Sequence, residues 1–154
     1  MLTALERQEI EHEFRLYPYK QAACIEALKI IQKHRRWVSD ESLKDLSALL
    51  EMSVEEIDGV ATFYNLIYRK PVGRHVILLC DSVSCFIMGY STVREHLESK
   101  LGITYGETTP DDKFTLLPVP CLGTCDHAPA MMIGRDLHRD LTPQKIDAVL
   151  MKYE

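Results

Sequence analysis

The sequence predicts a mixed α/β protein in two parts, a helical bundle over residues 1–72 and an α/β sandwich over residues 73–154. Three observations predict it. The first part places apolar residues at helical spacing and twice opens a helix with a capping box. At "RKPVGRHVILLC" the pattern changes to short apolar runs rich in β-branched residues. Beyond that switch, two close pairs of cysteines stand where such runs end, Cys80 and Cys85 in "CDSVSC" and Cys121 and Cys125 in "CLGTC".

Taken in order, "TALE" at Thr3–Glu6 has capping-box spacing, in which each side chain satisfies an otherwise unpaired amide of the first turn, so a helix starts there. Ile10 and Phe14 continue its apolar stripe, and Pro18 closes it. A second helix runs through "KQAACIEALKIIQKHRR", with Cys24, Leu28 and Ile31 on one face and cations at the C-terminal end, where the dipole favours them. Leu43, Leu46 and Leu50 mark a third helix. "SVEE" at Ser53–Glu56 opens a fourth, with Ile57, Val60, Ala61 and Tyr64 on one side. Pro71 and Gly73 then punctuate the chain, and Val76–Leu79, apolar on both faces, reads as a buried central strand ending at Cys80. Val93, Leu97 and Leu101 give a helix that stops at Gly102. "KFTLLPV" and "AMMI" are strands, and "LTPQKIDAVLMKY" is a terminal helix capped by Thr142 with Pro143 at its first position. The order β-α-β-β-α describes an α/β sandwich of thioredoxin-like type.

Composition narrows the function. At 46% hydrophobic and 27% charged residues the chain is ordinary for a globular protein, and no apolar run reaches the length of a membrane span, so no direct membrane insertion is expected. Its beginning lacks the pattern of a secretory or organelle leader, so a reducing cytoplasm is the expected setting. A net charge of −5, with no strongly basic block, argues against nucleic acid as a partner. A chain of 154 residues buries enough surface to fold without covalent staples. Five cysteines in a reducing compartment therefore point to metal binding or redox chemistry rather than a disulfide framework.

The pairs are spaced C-x4-C and C-x3-C, and neither is the C-x-x-C of a thioredoxin-like dithiol. Brought together by adjacent strand ends, they make a four-thiolate site that suits zinc or an iron–sulfur cluster. Spacing and composition put zinc slightly ahead. The flanks favour iron–sulfur, because the small residues of "DSVS" and the glycine of "CLGTC" let backbone amides approach sulfur, and such N–H···S bonds tune a cluster's potential.

The segments "GVATFYNLIYRKPVGRHVILLCDSVSCFIMG", "LLPVPCLGTCDHAPAMMI" and "LTPQKIDAVL" resemble the small, E-type [2Fe-2S] subunit of respiratory complex I, the NADH:quinone oxidoreductase. The resemblance extends over nearly the whole chain and is most specific in the cysteine pattern, C-x4-C-x3-G followed by CLGxC and AP. It implies a thioredoxin-like [2Fe-2S] ferredoxin domain behind an N-terminal helical bundle. One [2Fe-2S] cluster per chain would be held by Cys80, Cys85, Cys121 and Cys125. FMN and NADH would sit on a larger partner subunit, with this chain on the cytoplasmic side of a bacterial inner membrane through its complex. Related subunits serve NAD-linked hydrogenases and formate dehydrogenases. The chain departs from many relatives at two places, with Pro120 where they have Glu before the third cysteine and Gly134-Arg135 where they have Asn.

No catalytic residue is expected here, and no Gly-rich phosphate loop is present for FMN or NADH. The chemistry expected is one-electron transfer. With four thiolates, a [2Fe-2S] core has a formal charge of about −2 oxidised and −3 reduced, so its potential should be low unless dipoles offset the added charge. Cys24, on an apolar helical stripe, reads as core. His127, two residues after Cys125, reads as a neighbour of the site or a solvent-facing residue rather than a ligand, since four thiolates already complete it. "HRR" at His34–Arg36 and "RKPVGR" at Arg69–Arg74 read as dipole caps and a solvated turn. Phe63 and Tyr64 read as packing between the two halves rather than as a cofactor box.

Overall fold

The computed structural model describes residues 1–153 and divides into two compact units, one of Met1–Pro71 and one beginning at Val72. The first unit holds four helices, α1 (Ala4–Glu13), α2 (Cys24–Arg35), α3 (Asp40–Leu50) and α4 (Val54–Phe63). Both capping boxes form. The Thr3 hydroxyl accepts the Glu6 N–H at 3.2 Å while the Glu6 carboxylate accepts the Thr3 N–H at 2.7 Å, and Ser53 and Glu56 repeat the exchange at 3.1 and 2.8 Å. Helix α2 starts four residues later than its apolar pattern implied. Tyr19 stands at the cap position without a side-chain capping bond, and Lys20–Ala23 form a tighter 3-10 turn instead. The expected stripes meet in one core, where Ile10, Cys24, Leu28, Ile31, Leu43, Leu46, Leu50, Ile57 and Ala61 are all buried.

The basic segments do more than cap. Arg35 makes a two-pronged bond to the buried Glu6 carboxylate, 2.7 Å on each side. Arg69 bonds Asp58 at 2.8 Å, Asp40 at 2.6 Å and the Val38 carbonyl. These arginines tie separate helices together, which charge pattern alone does not reveal. Phe63 and Tyr64, at the end of α4, are 80% and 43% exposed.

The second unit is built on a four-stranded sheet of order β2-β1-β3-β4, from β1 (His75–Cys80), β2 (Phe114–Val119), β3 (Met131–Ile133) and β4 (Asp136–His138). β1 is central, as its unbroken apolar run requires, and pairs in parallel with β2 and antiparallel with β3. Three helices accompany the sheet, α5 (Val83–Ile87), α6 (Tyr90–Leu101) and α7 (Pro143–Leu150). Gly102 caps α6 in the left-handed conformation, and Thr142 caps α7 by accepting the Lys145 N–H. Ile77 and Leu79 of β1 join Val93 and Leu97 of α6 and Ile146 and Val149 of α7 in the larger core. The alternate residues, Leu78 and Cys80, pack with Cys85, Val119 and Ala128 in a smaller one. Strand period thus sends Cys80 to the opposite face from the α6–α7 layer.

Two elements are not in the sequence reading. β4 is only three residues long and half exposed, and it folds back on β3 through Gly134, at φ +60°. Gly134-Arg135 is therefore the turn of a hairpin. The second is α5, whose five residues are too few to show helical periodicity.

Candidate metal centre

Sheet topology gathers the cysteines. Because β1 and β2 are parallel, their carboxyl ends lie at the same end of the sheet, and the register pairs Cys80 with Val119. Cys121 follows two residues beyond Val119. Cys85 lies in α5, one short turn past β1, and Cys125 opens the 3-10 turn Cys125–His127. The chain then returns through Ala128, whose side chain packs beside Cys80 and Cys85, and the Ala130 carbonyl accepts the Cys80 N–H at 3.1 Å. The peptide Ala128–Pro129 is cis.

All four thiols are neighbours. Cys121 and Cys125 stand with sulfurs 4.0 Å apart. Cys80 and Cys85 pack in one buried cluster, Cys80 is near enough to Cys121 to influence its ionisation, and Cys80 and Cys125 likewise influence Cys85. Cys80 and Cys85 are buried, whereas Cys121 and Cys125 are exposed, so the site has an inner and an outer pair. The two environments act oppositely on ionisation. Burial, helped by the adjacent Cys80 thiol, pushes the Cys85 thiol up to about 11. The Gly123 N–H and the Cys125 thiol hold Cys121 below the ordinary thiol range, with the Ser82 hydroxyl adding to them.

Two glycines make the loops possible. Gly89, at φ +106°, turns the chain between α5 and α6, and Gly123, at φ +72°, lets its N–H reach Cys121 Sγ at 3.3 Å. Pro120 is exposed. His127 stands beside the site with its ring nitrogens toward Asp140, at 3.1 Å, and Asp126, at 3.6 Å. Cys24 is buried in the first unit's core, and burial pushes its thiol up to about 11. Ser82, inside "CDSVSC", is a neighbour of Cys121 that sequence reasoning did not single out.

The residues fit a [2Fe-2S] group. Such a cluster takes four thiolates and gains from N–H···S donors, and both are present.

Four neighbouring thiols at the carboxyl end of a helix-covered α/β sheet are the donor chemistry of an iron–sulfur protein of thioredoxin-like fold. The chain belongs to the thioredoxin-like [2Fe-2S] ferredoxin family, whose pattern it matches over residues 10–154. It is 51% identical over 153 residues to the E subunit of NADH-quinone oxidoreductase from Escherichia coli (strain K12), covering 99% of this chain and 92% of that one. It is 48% identical, over the same shares, to the protein of the same name from Pseudomonas aeruginosa (strain ATCC 15692). Among solved structures, it is similar to an NAD+-reducing [NiFe]-hydrogenase in the H2-reduced state, with TM-score 0.73 and 27% identity. That match covers 85% of this chain and 22% of the hydrogenase chain.

Proposed function

We propose that Cys80, Cys85, Cys121 and Cys125 are the four ligands of the cluster, and that the chain passes single electrons between it and the FMN of a larger, NADH-binding partner subunit. The protein is an electron-transfer [2Fe-2S] subunit of the NADH dehydrogenase module of an NADH-quinone oxidoreductase. The observation that supports the ligand assignment is the gathering of the four cysteines at one end of the sheet, with the Cys121 and Cys125 sulfurs 4.0 Å apart. When bound, the cluster supplies one-electron oxidation and reduction.

Each part of the chain has a task in this reading. The inner pair anchors the site to the central strand. Cys85, held as a thiol by burial, ionises only against the charge of bound iron, so assembly at the site releases protons. The outer pair faces solvent, where an electron donor can approach. The Gly123 amide places positive dipole against a sulfur that becomes more negative on reduction. No side chain is assigned to bond making, so the chain alone should not oxidise NADH. The helical unit, residues 1–71, is read as a separate domain. The complex would sit on the cytoplasmic side of a bacterial inner membrane, consistent with no helix among the described residues being long and apolar enough to cross one.

Replacing each ligand separately by serine tests the assignment through the visible spectrum of the purified protein. All four variants should lose or severely weaken the cluster bands, and Cys24→Ser should keep them. A second reading, the equivalent subunit of an NAD-linked hydrogenase, is favoured by the similarity to the NAD+-reducing enzyme, but at 27% identity against 51% it stands behind the first. Native co-purification separates them: a quinone-reducing partner set supports the first reading and a [NiFe] partner supports the second.

A further inference from the structure

The cysteines of this chain differ sharply in what can reach them. Cys80 and Cys85 are buried, packed with Val119 and Ala128, and Cys24 is buried in the core of the helical unit. Cys121 and Cys125 are exposed, so a small thiol reagent in solution meets the outer pair alone. The same pair has its sulfurs 4.0 Å apart. A disulfide brings two sulfurs to about 2 Å, so these two have about 2 Å to close. Only Leu122, Gly123 and Thr124 separate the two residues in the chain. Gly123 is exposed at φ +72°, with nothing within 4 Å of the place a Cβ would take, so the loop has room to shift.

We infer that Cys121 and Cys125 are a reversible redox switch on cluster assembly: in the chain before it receives a cluster, a small-molecule disulfide joins them to each other, and the cluster is taken up only after that bond is reduced. The inference rests on both residues being ligands. In the first step one outer sulfur attacks the reagent RSSR; a bond from the chain's sulfur to one SR group forms, the reagent's S–S bond breaks, and one RSH leaves. The second outer thiol then attacks the chain's sulfur in that mixed disulfide, which joins Cys121 to Cys125 and releases the second RSH. The chain gives up two electrons and two protons, and one RSSR becomes two RSH. A sulfur bonded to sulfur is no longer a thiolate and cannot bind iron, so both outer ligands are withdrawn together. The adjacent resolving thiol also stops the exposed sulfurs short of irreversible oxidation, and a reducing cytoplasm restores them.

The test takes the full chain, freed of its cluster under anaerobic reducing conditions, and treats it with oxidised glutathione. Its intact mass should fall by two hydrogens with no glutathione retained, and peptide mapping should find Cys121 joined to Cys125 while Cys24, Cys80 and Cys85 stay free. Offered a cluster by a [2Fe-2S]-loaded scaffold protein, with no free thiol or sulfide present, this form should show none of the visible cluster bands, and dithiothreitol should restore them in full. Cys121→Ser and Cys125→Ser, each lacking the resolving thiol, should instead retain glutathione on the outer cysteine that remains. Glutathione retained on the wild-type chain, a bond that includes Cys80 or Cys85, or cluster uptake undiminished by oxidation overturns the proposal. The ligand reading is judged apart from this, on the spectra of the two untreated serine variants. A full wild-type spectrum in either removes that reading and the switch with it. Loss of the spectrum in both, with no Cys121–Cys125 bond formed in the wild type, overturns the switch alone.

Discussion

Replacing Glu6 by glutamine should destabilise the helical unit strongly at neutral pH and progressively less in acid. Glu6 is 1% exposed and its carboxylate is held by Arg35 on both oxygens, at 2.7 Å each. The Arg35 guanidinium, with the Thr3 N–H, brings the carboxyl from 4.5 down to about 2 despite the opposing effect of burial. Glutamine has the shape of the protonated acid, so the difference between variant and wild type measures what ionisation contributes. The depressed value means that this stability is fully present above about pH 4.5 and is lost as pH falls through about 2. A shift of that size corresponds to about 3.4 kcal/mol at pH 7. Arg35 is 28% exposed and water screens part of the pair, leaving about 2–3 kcal/mol. By pH 3 less than half of that should remain. Trp37, the single tryptophan, lies between α2 and α3 and reports on this unit. Urea unfolding of the full chain followed by its fluorescence, from pH 7 to pH 3, supplies the numbers. A variant as stable as wild type at pH 7, or a difference that does not shrink toward pH 3, would refute the linkage argument.

Three further outcomes follow from the packing. In cluster-free protein at pH 8, iodoacetamide should label Cys121 well before Cys24, because Cys24 is 3% exposed and burial pushes its thiol up to about 11; peptide mass mapping gives the order. Gly73→Ala should cost on the order of 1–3 kcal/mol in denaturant unfolding, since a Cβ there would meet the Lys113 backbone at 3.0 Å beside the buried Gly73 N–H bond to Thr115. The Tyr90 and Tyr105 hydroxyls lie 2.8 Å apart and half-buried, and burial pushes Tyr105 well above the ordinary tyrosine range. Tyr90→Phe should cost about 1 kcal/mol and bring Tyr105 ionisation to lower pH in an ultraviolet titration.

The helical half was legible because its signals are local. Capping boxes at Thr3 and Ser53 and leucines at 43, 46 and 50 fix element and face together, and the structure places each where expected. Apolar β1 was likewise readable as a central strand. Elements of three to five residues were not, because β4 and α5 are too short to display the pattern that would reveal them. The four cysteines stood out by pairing, but their convergence depends on β1 and β2 being parallel and in register at Cys80 and Val119, a long-range fact that spacing does not encode. Roles that depend on direction were hidden for the same reason. Nothing local says that Arg35 and Arg69 bind helices rather than cap them.

The central claim is that these four cysteines together hold one [2Fe-2S] cluster. Metal and acid-labile sulfide analysis of the anaerobically purified full chain, paired with EPR before and after dithionite, tests it most directly. Iron and sulfide in equal amounts, an EPR-silent oxidised state and a signal that appears on one-electron reduction are the predicted result, and each should disappear together when any one of Cys80, Cys85, Cys121 and Cys125 becomes serine. A colourless protein containing stoichiometric zinc, or a cluster retained unchanged after loss of one of these cysteines, would contradict the account.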